Sequence, residues 1–201
     1  MHHSDSILAI LGADTWHTAH RDRALAAADL ALAVYEGKVR DQGTPYIEHP
    51  LAVVTILRDE LLVTQPETLL LGLLHDALEL SPGSEPEIAA HLGRLFAEEL
   101  RAMTPDHRLE NRPKRAMDEG DWRIKIQNLS LEGLLVRFAD RIHNLRDLGR
   151  SPDNERRQRF IASLVDFYLP LTRAAQVESP SLKRAYELLE VELHRYRTSA
   201  S

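Results

Sequence analysis

Histidine and aspartate stand side by side at His75 and Asp76, inside the leucine-rich run Leu73-Leu74-His75-Asp76-Ala77-Leu78. A second imidazole, His49, closes the segment Gly43-Thr44-Pro45-Tyr46-Ile47-Glu48-His49-Pro50. A second carboxylate, Asp140, lies in Phe138-Ala139-Asp140-Arg141-Ile142-His143-Asn144-Leu145. The order His…His-Asp…Asp offers two nitrogen and two oxygen donors, a mixed set suited to a divalent transition ion with positions left open for water and substrate. That chemistry points to hydrolysis. His75 and Asp76 cannot both sit unpaired among leucines, because a bare buried charge is strongly disfavoured. A metal between them satisfies both groups. Hydrogen bonds to backbone, or an ion pair with an arginine from a later helix, would do so equally well, and spacing alone leaves these readings level.

Glu79 follows His75 by four residues and Asp76 by three, so one helical face can carry all three. There it can orient or deprotonate a water, or simply face solvent at a helix end. Asp140 and Asn144 are also one helical turn apart, with carboxylate and amide on the same side, while Val136, Phe138, Ile142 and Leu145 supply the buried side. His143 is read as support for the site or the fold rather than as a ligand. His17, His20, His91, His107 and His194 show no ligand-like spacing and read as surface residues.

The elements that must position these groups read as helices throughout. Apolar residues at helical spacing predict a helix from about Thr15 to Tyr35, ending near Gly37, followed by a turn punctuated by Gly43 and Pro45. Further helices are expected over Leu51–Leu61, Pro66–Leu78, Glu87–Leu92, Arg94–Met103, Ser130–Leu148, Asn154–Leu169 and Ser181–Tyr196. Pro66–Leu78 is apolar on nearly every side and therefore buried. The charged stretch Pro105–Gly120 reads as a mobile loop or a short surface helix. No alternating strand pattern and no repeat appears, so the fold class is all-α, a bundle of about eight helices.

Composition bounds the rest. With 201 residues, 43% apolar and 28% charged, the chain has the size and balance of one soluble globular domain. The net charge of −6 argues against nucleic acid as a partner, since binding a phosphate backbone needs a basic face; a local basic pocket for a small nucleotide remains open. The absence of cysteine excludes disulfides and thiolate metal sites. No segment approaches the roughly 20 apolar residues of a membrane span, and the N-terminus lacks the pattern of a signal peptide, so the expected compartment is the cytoplasm. His2 and His3 are given no role.

Taken together, Gly43–Pro50, Leu73–Glu79 and Phe138–Leu148 resemble the hydrolase domain of the RelA/SpoT family, a branch of the HD phosphohydrolases. Asp166-Phe167-Tyr168-Leu169-Pro170-Leu171-Thr172-Arg173 is similar to that family's helix just beyond the active site, and the likeness runs from about Lys38 to Ala175. The resemblance implies an HD-domain helical bundle that binds one manganese ion (Mn2+) through His49, His75, Asp76 and Asp140. The implied reaction is that of a guanosine 3′,5′-bis(diphosphate) 3′-pyrophosphohydrolase, which releases pyrophosphate from the 3′ position of guanosine tetra- or pentaphosphate. By the same analogy Glu79 and Asn144 are catalytic, Asn144 contacts substrate, Arg40 faces the nucleobase, and Arg156 or Arg159 meets phosphate. The loop Glu110–Arg115 is either a solvated loop or a cover for phosphates. The implied layout is an N-terminal extension over 1–14, the HD phosphohydrolase domain over 15–178, and a C-terminal helix over 179–201 packing on the same domain. With no room for a synthetase domain, the chain is expected to be of the small, hydrolase-only type.

Three positions depart from the family pattern. Leu80 follows Glu79 where a second acid is usual, Tyr35 stands where histidine is frequent, and Asp41 follows Arg40 where lysine is common. The last places a negative charge near an expected polyphosphate. Two other functions therefore stand beside the first: a phosphohydrolase acting on another nucleotide, such as a 2′-phosphatase of NADPH, and a nucleotide-binding protein that has lost turnover. The expected partner in each case is a small phosphorylated nucleotide, with no membrane and no nucleic acid. The C-terminal helix can cap the bundle or make a dimer contact, which leaves a homo-oligomer open.

Overall fold

Alanines and leucines form the buried stripes of this chain, and helices alone arise from them. The computed structural model describes residues 3–199; residues 1–2, with His2, and residues 200–201 lie outside the described residues. Helix α1 (Ser4–Leu11) buries Ile7 and Leu11 and stops at Gly12, whose φ of 73° suits a residue without Cβ. A short 3-10 turn, Ala13–Thr15, precedes α2 (Thr18–Tyr35), which therefore begins later than the periodicity predicts. The buried face of α2 is built on Ala24, Ala27, Ala28 and Ala31, small side chains that let neighbouring helices approach closely. Past Gly37 the chain folds into a tight hairpin, with Tyr46 N–H donating to Lys38 O and Arg40 N–H to Thr44 O, both at 2.9 Å. Among the described residues the sole β pairing is the isolated bridge between Val39 and Pro45 in this hairpin.

The central helices carry the core. Helix α3 (Glu48–Thr55) begins earlier than predicted, which places His49 in its first turn; it continues through a wider π-helical turn, Ile56–Glu60. Helix α4 (Pro66–Leu74) is buried on all sides from Thr68 onward. The continuous helix expected over Pro66–Leu78 does not form, because the backbone leaves α-helical geometry at Asp76 (φ −98°, ψ 1°) and resumes as α5 (Ala77–Leu80). Helices α6 (Glu85–Leu92) and α7 (Arg94–Ala102) pack around α2 and α4, as their apolar spacing predicts.

The charged stretch Pro105–Gly120, expected as a mobile loop or a short surface helix, holds the single turn α8 (Asp106–Leu109), and α9 (Asp118–Gln127) begins within it. Helix α10 (Leu131–Asp147) is buried almost continuously from Gly133 to Asp140 and is capped by Ser130, whose hydroxyl accepts Gly133 N–H at 2.9 Å. Helix α11 (Asn154–Ser163) passes through a second π-helical turn, Leu164–Tyr168, into α12 (Leu169–Ala175), extending the predicted segment. Helix α13 (Pro180–Ser199) lays Leu182, Ala185, Leu189 and Leu193 against α10 and α12. The all-α architecture stands. Helices outnumber the eight or so expected because the run Pro66–Leu78 is broken and because α1 and α9 form in stretches where apolar spacing marks no helix.

Candidate active site

Three elements bring the four proposed donors to one point. His49 arrives on the first turn of α3, His75 and Asp76 occupy the break between α4 and α5, and Asp140 sits mid-way along α10; all four are buried. His49 Nε2 lies 3.2 Å from Asp140 Oδ1 and 3.5 Å from Asp76 Oδ2. His75 Nε2 lies 3.3 Å from Asp76 Oδ2 and 3.9 Å from Asp140 Oδ1. In a regular helix adjacent side chains diverge, so the break at His75–Asp76 is what lets neighbouring residues face the same point. Ligand atoms of His49, His75 and Asp76 fall within 4.8 Å of one another, a spacing at which one ion can be shared.

The electrostatics of the cluster call for a cation. Burial would raise the Asp76 carboxyl, but the His75 and His49 imidazoles hold it well below the usual carboxylate range. Burial acts likewise on Asp140 and is overcome by Arg141, His49 and Arg137. Burial disfavours a charged His75, yet Asp76 and Asp140 together raise its proton affinity. The donor set passes a direct test for a metal. His75 Nδ1 donates to Gly72 O at 2.8 Å, so in the neutral ring Nε2 is a lone pair, and that buried atom has no hydrogen-bond partner. A buried nitrogen lone pair beside two ionised carboxylates is the arrangement a divalent ion satisfies.

His49, Asp76 and Asp140 line a cavity of about 510 Å³, within the range of small-molecule sites, and His75 is buried beside Asp76. Glu79, on α5, lines it 3.3 Å from the Arg108 guanidinium; burial and then Asp76 raise its carboxyl. Leu80 lines it beside Glu79. Asn144 is one turn beyond Asp140, donating to Asp140 Oδ1 and accepting from Arg40 Nη2 at 2.8 Å. Arg40 is thus brought to the site on the hairpin before α3. Arg156 also lines the cavity, but its guanidinium pairs with the Asp41 carboxylate. The negative charge that departs from the family pattern is therefore answered from α11. Arg108, Lys114, Arg123 and Arg141 complete a basic wall, and His107, expected as a surface residue, lines it too. A side pocket of about 200 Å³ shares Arg40, Arg141, Asn144 and Arg156 with the main cavity.

Several contributors lie outside the predicted set. Tyr46 donates its hydroxyl to Asp76 Oδ2 at 2.8 Å and stacks on Tyr35, with ring centroids 5.7 Å apart. Tyr35 in turn donates to Leu73 O at 3.1 Å. Arg137 and Arg141 both grip Asp140 Oδ2, at 3.1 and 2.6 Å. Their spacing from the ligand was the available signal: Tyr46 is three residues before His49, Arg137 three before Asp140 and Arg141 directly after it. Trp122 and Arg123 line the cavity from a segment with no motif, and Phe167 lines it from the family-like segment Asp166–Arg173. His143 meets His49, Nδ1 to Nδ1, at 2.8 Å.

Comparison with known proteins agrees with this geometry. Residues 27–177 match a family model described as an HD domain, a span that contains all four donors. The chain belongs to the HD domain family. Within this HD domain, 144 residues are 33% identical to the bifunctional (p)ppGpp synthase/hydrolase SpoT of Escherichia coli K12, covering 71% of this chain and 20% of that protein. The guanosine-3′,5′-bis(diphosphate) 3′-pyrophosphohydrolase of Haemophilus influenzae is 30% identical over 172 residues, covering 83% of this chain and 25% of that protein. The chain therefore spans about a quarter or less of the curated relatives it matches. Among solved structures, that of a metazoan ortholog of SpoT, a protein that hydrolyzes ppGpp, superposes with a TM-score of 0.66. It is 22% identical, and the match covers 93% of this chain and 98% of the ortholog's chain, so the likeness extends to the whole HD fold.

Proposed function

We propose that this HD domain is a manganese-dependent pyrophosphohydrolase acting on guanosine 3′,5′-bis(diphosphate). The reading is carried by one observation: His49, His75, Asp76 and Asp140 converge on one buried point, and His49, Asp76, Asp140 and Glu79 line the basic-walled cavity above it. The names of the curated relatives supply the choice of nucleotide. His49, His75, Asp76 and Asp140 would hold the ion. Bound there, manganese supplies a Lewis acid that acidifies water and neutralises charge on the phosphoryl group. Glu79 faces the cavity and accepts the proton of the attacking water, and burial raises its proton affinity. The water oxygen bonds to the phosphorus attached to the 3′ oxygen, that P–O bond breaks, the leaving 3′ oxygen takes up a proton, and GDP and pyrophosphate result. Asn144, clamped between Asp140 and Arg40, fixes the substrate's position relative to the donors. Arg40 meets the nucleobase side. Arg156, once drawn from Asp41, joins Arg108 and Lys114 in holding phosphates. A cytoplasmic location accords with such a substrate, and no described helix is long and apolar enough to cross a membrane.

The test is a product assay on metal-stripped protein with guanosine tetraphosphate, with and without manganese. Manganese-dependent GDP and pyrophosphate support the proposal. Release of orthophosphate from a wider nucleotide panel, with guanosine tetraphosphate untouched, would replace it with a monophosphatase. Tight nucleotide binding without turnover, at confirmed manganese occupancy, would replace it with a binding role.

A further inference from the structure

The two imidazoles of the cluster are held by different means. His75 Nδ1–H donates to Gly72 O, a backbone acceptor that cannot reverse roles, so its Nε2 is fixed as a lone pair. His49 has no carbonyl in that position. Its Nδ1 meets His143 Nδ1 at 2.8 Å, with the rings tilted by 46° and their centroids 4.8 Å apart. Two imidazole nitrogens at this distance share one proton, and only two arrangements of neutral rings are open. If His143 donates, His49 carries its proton on Nε2, aimed at Asp140 and Asp76, and cannot ligate. If His49 donates, its Nε2 is a lone pair facing the same carboxylates as His75 Nε2, and His143 keeps its one proton on Nε2.

We propose that His143 is a positioning residue that accepts the His49 Nδ1–H bond and so presents His49 Nε2 to the metal. This rests on the metal reading above. His143 lies on α10 three residues after Asp140, so a single helix supplies both a carboxylate ligand and the group that sets the tautomer of a ligand from α3. The hydrogen bond also keeps the His49 ring from rotating away, since the other edge of the ring faces Asp76 and Asp140. Acceptors behind metal-bound histidines typically change metal affinity 10- to 100-fold when removed, roughly the effect expected here.

The test is calorimetric titration of the metal-free full chain with Mn2+, alongside thermal melting of the same metal-free samples. His143→Phe keeps a ring and its volume but offers no acceptor. His143→Asn places an amide oxygen near the position of the lost Nδ1. The expected result is a loss of Mn2+ affinity of roughly 10- to 100-fold in His143→Phe and recovery to within a few-fold of wild type in His143→Asn. Metal-free melting temperatures that do not follow this order separate the role from simple bracing of α3 against α10. His143→Ala serves in place of the Phe variant should the larger ring prevent folding. Wild-type affinity in the Phe or Ala variant overturns the proposal, as does an Asn variant as weak as Phe. A wild-type chain that takes up no Mn2+ overturns the metal reading itself, a distinct outcome.

Discussion

Asp140 and Asp76 serve the same proposed ion but are built into the protein differently, and neutralising each should show it. Asp140 is 2% exposed, and its Oδ2 accepts from Arg137 at 3.1 Å and Arg141 at 2.6 Å. Arg137 is itself 4% exposed, so Asp140→Asn leaves a buried guanidinium facing a neutral amide. Removing one partner of a buried pair costs about 3–5 kcal/mol. At about 2–4 °C per kcal/mol for a chain of this size, the metal-free protein should melt about 6–20 °C lower. Asp76 has no arginine; its Oδ2 accepts from the Tyr46 hydroxyl at 2.8 Å and faces two imidazoles. An amide at residue 76 can still accept from Tyr46 and strands no buried guanidinium, so Asp76→Asn should cost the metal-free protein less than Asp140→Asn does. Both variants should lose the stabilisation by manganese, which in wild type amounts to about 2.7 kcal/mol at an ion concentration 100 times Kd. Scanning calorimetry of metal-free and manganese-loaded samples measures all of these quantities. Equal metal-free melting of the two variants would refute the division of labour, and a retained manganese shift in either would refute its role as ligand.

Glu79→Gln should keep Mn2+ affinity within a few-fold while turnover falls by about 10²–10⁴. In wild type a protonated Glu79 cannot accept a proton, so kcat/KM should fall with acid, and that acid limb should be absent from what activity Glu79→Gln retains. A wild-type rate in the Gln variant would remove Glu79 from the mechanism. Asp118 accepts both Arg112 Nη atoms at 2.7 and 2.8 Å and Arg115 N–H at 2.6 Å; Arg112 first, then that amide, depress its carboxyl. A depressed folded value stabilises above the ordinary aspartate value of about 3.9 and ceases to do so as pH falls below it. Urea unfolding should therefore show Asp118→Asn less stable than wild type at pH 7, with the gap narrowing below about pH 4; a pH-independent gap would contradict the pairing. In Gly72→Ala the added methyl meets Leu57 Cδ1 at 2.5 Å, and Leu57 is wholly buried. Overpacking of about 1–3 kcal/mol should outweigh the roughly 1 kcal/mol helical gain of alanine, so chemical denaturation should find the variant destabilised.

What the chain discloses before folding is uneven, for physical reasons. The His75–Asp76 pair stood out because two ionisable groups in a leucine run must find partners, and the periodicity of Val136, Phe138, Ile142 and Leu145 correctly oriented α10. The break at residues 75–76 did not show, because unbroken hydrophobicity reads as unbroken helix while the backbone answers to the cluster. Helix α9 was missed because its mostly charged sequence buries little beyond Ile126 and Asp118, which gives no apolar stripe to detect. Arg156 was expected on phosphate and is found on Asp41, a pairing between the hairpin and α11 that no local spacing encodes. Tyr46 belonged to a recognised segment, yet its role depends on Asp76 from another helix.

The cavity floor and its roof are made of different materials. The donors sit in helices buried in the apolar core, whereas α8 and the segment before α9 are largely exposed and are tied by charge: Arg112 on Asp118, and Lys125 on Asp106 at 2.7 Å and on Thr104 O at 2.8 Å. Ionic attraction weakens as the screening length drops from about 10 Å at 0.1 M salt to about 3 Å at 1 M, while apolar burial does not. Backbone amides of the roof should therefore exchange with solvent through local opening, and those of α10 through global unfolding alone. Salt and heat should thus act on this molecule separately: salt should loosen the charged roof while the donors stay in place, and heat should dismantle the donors themselves.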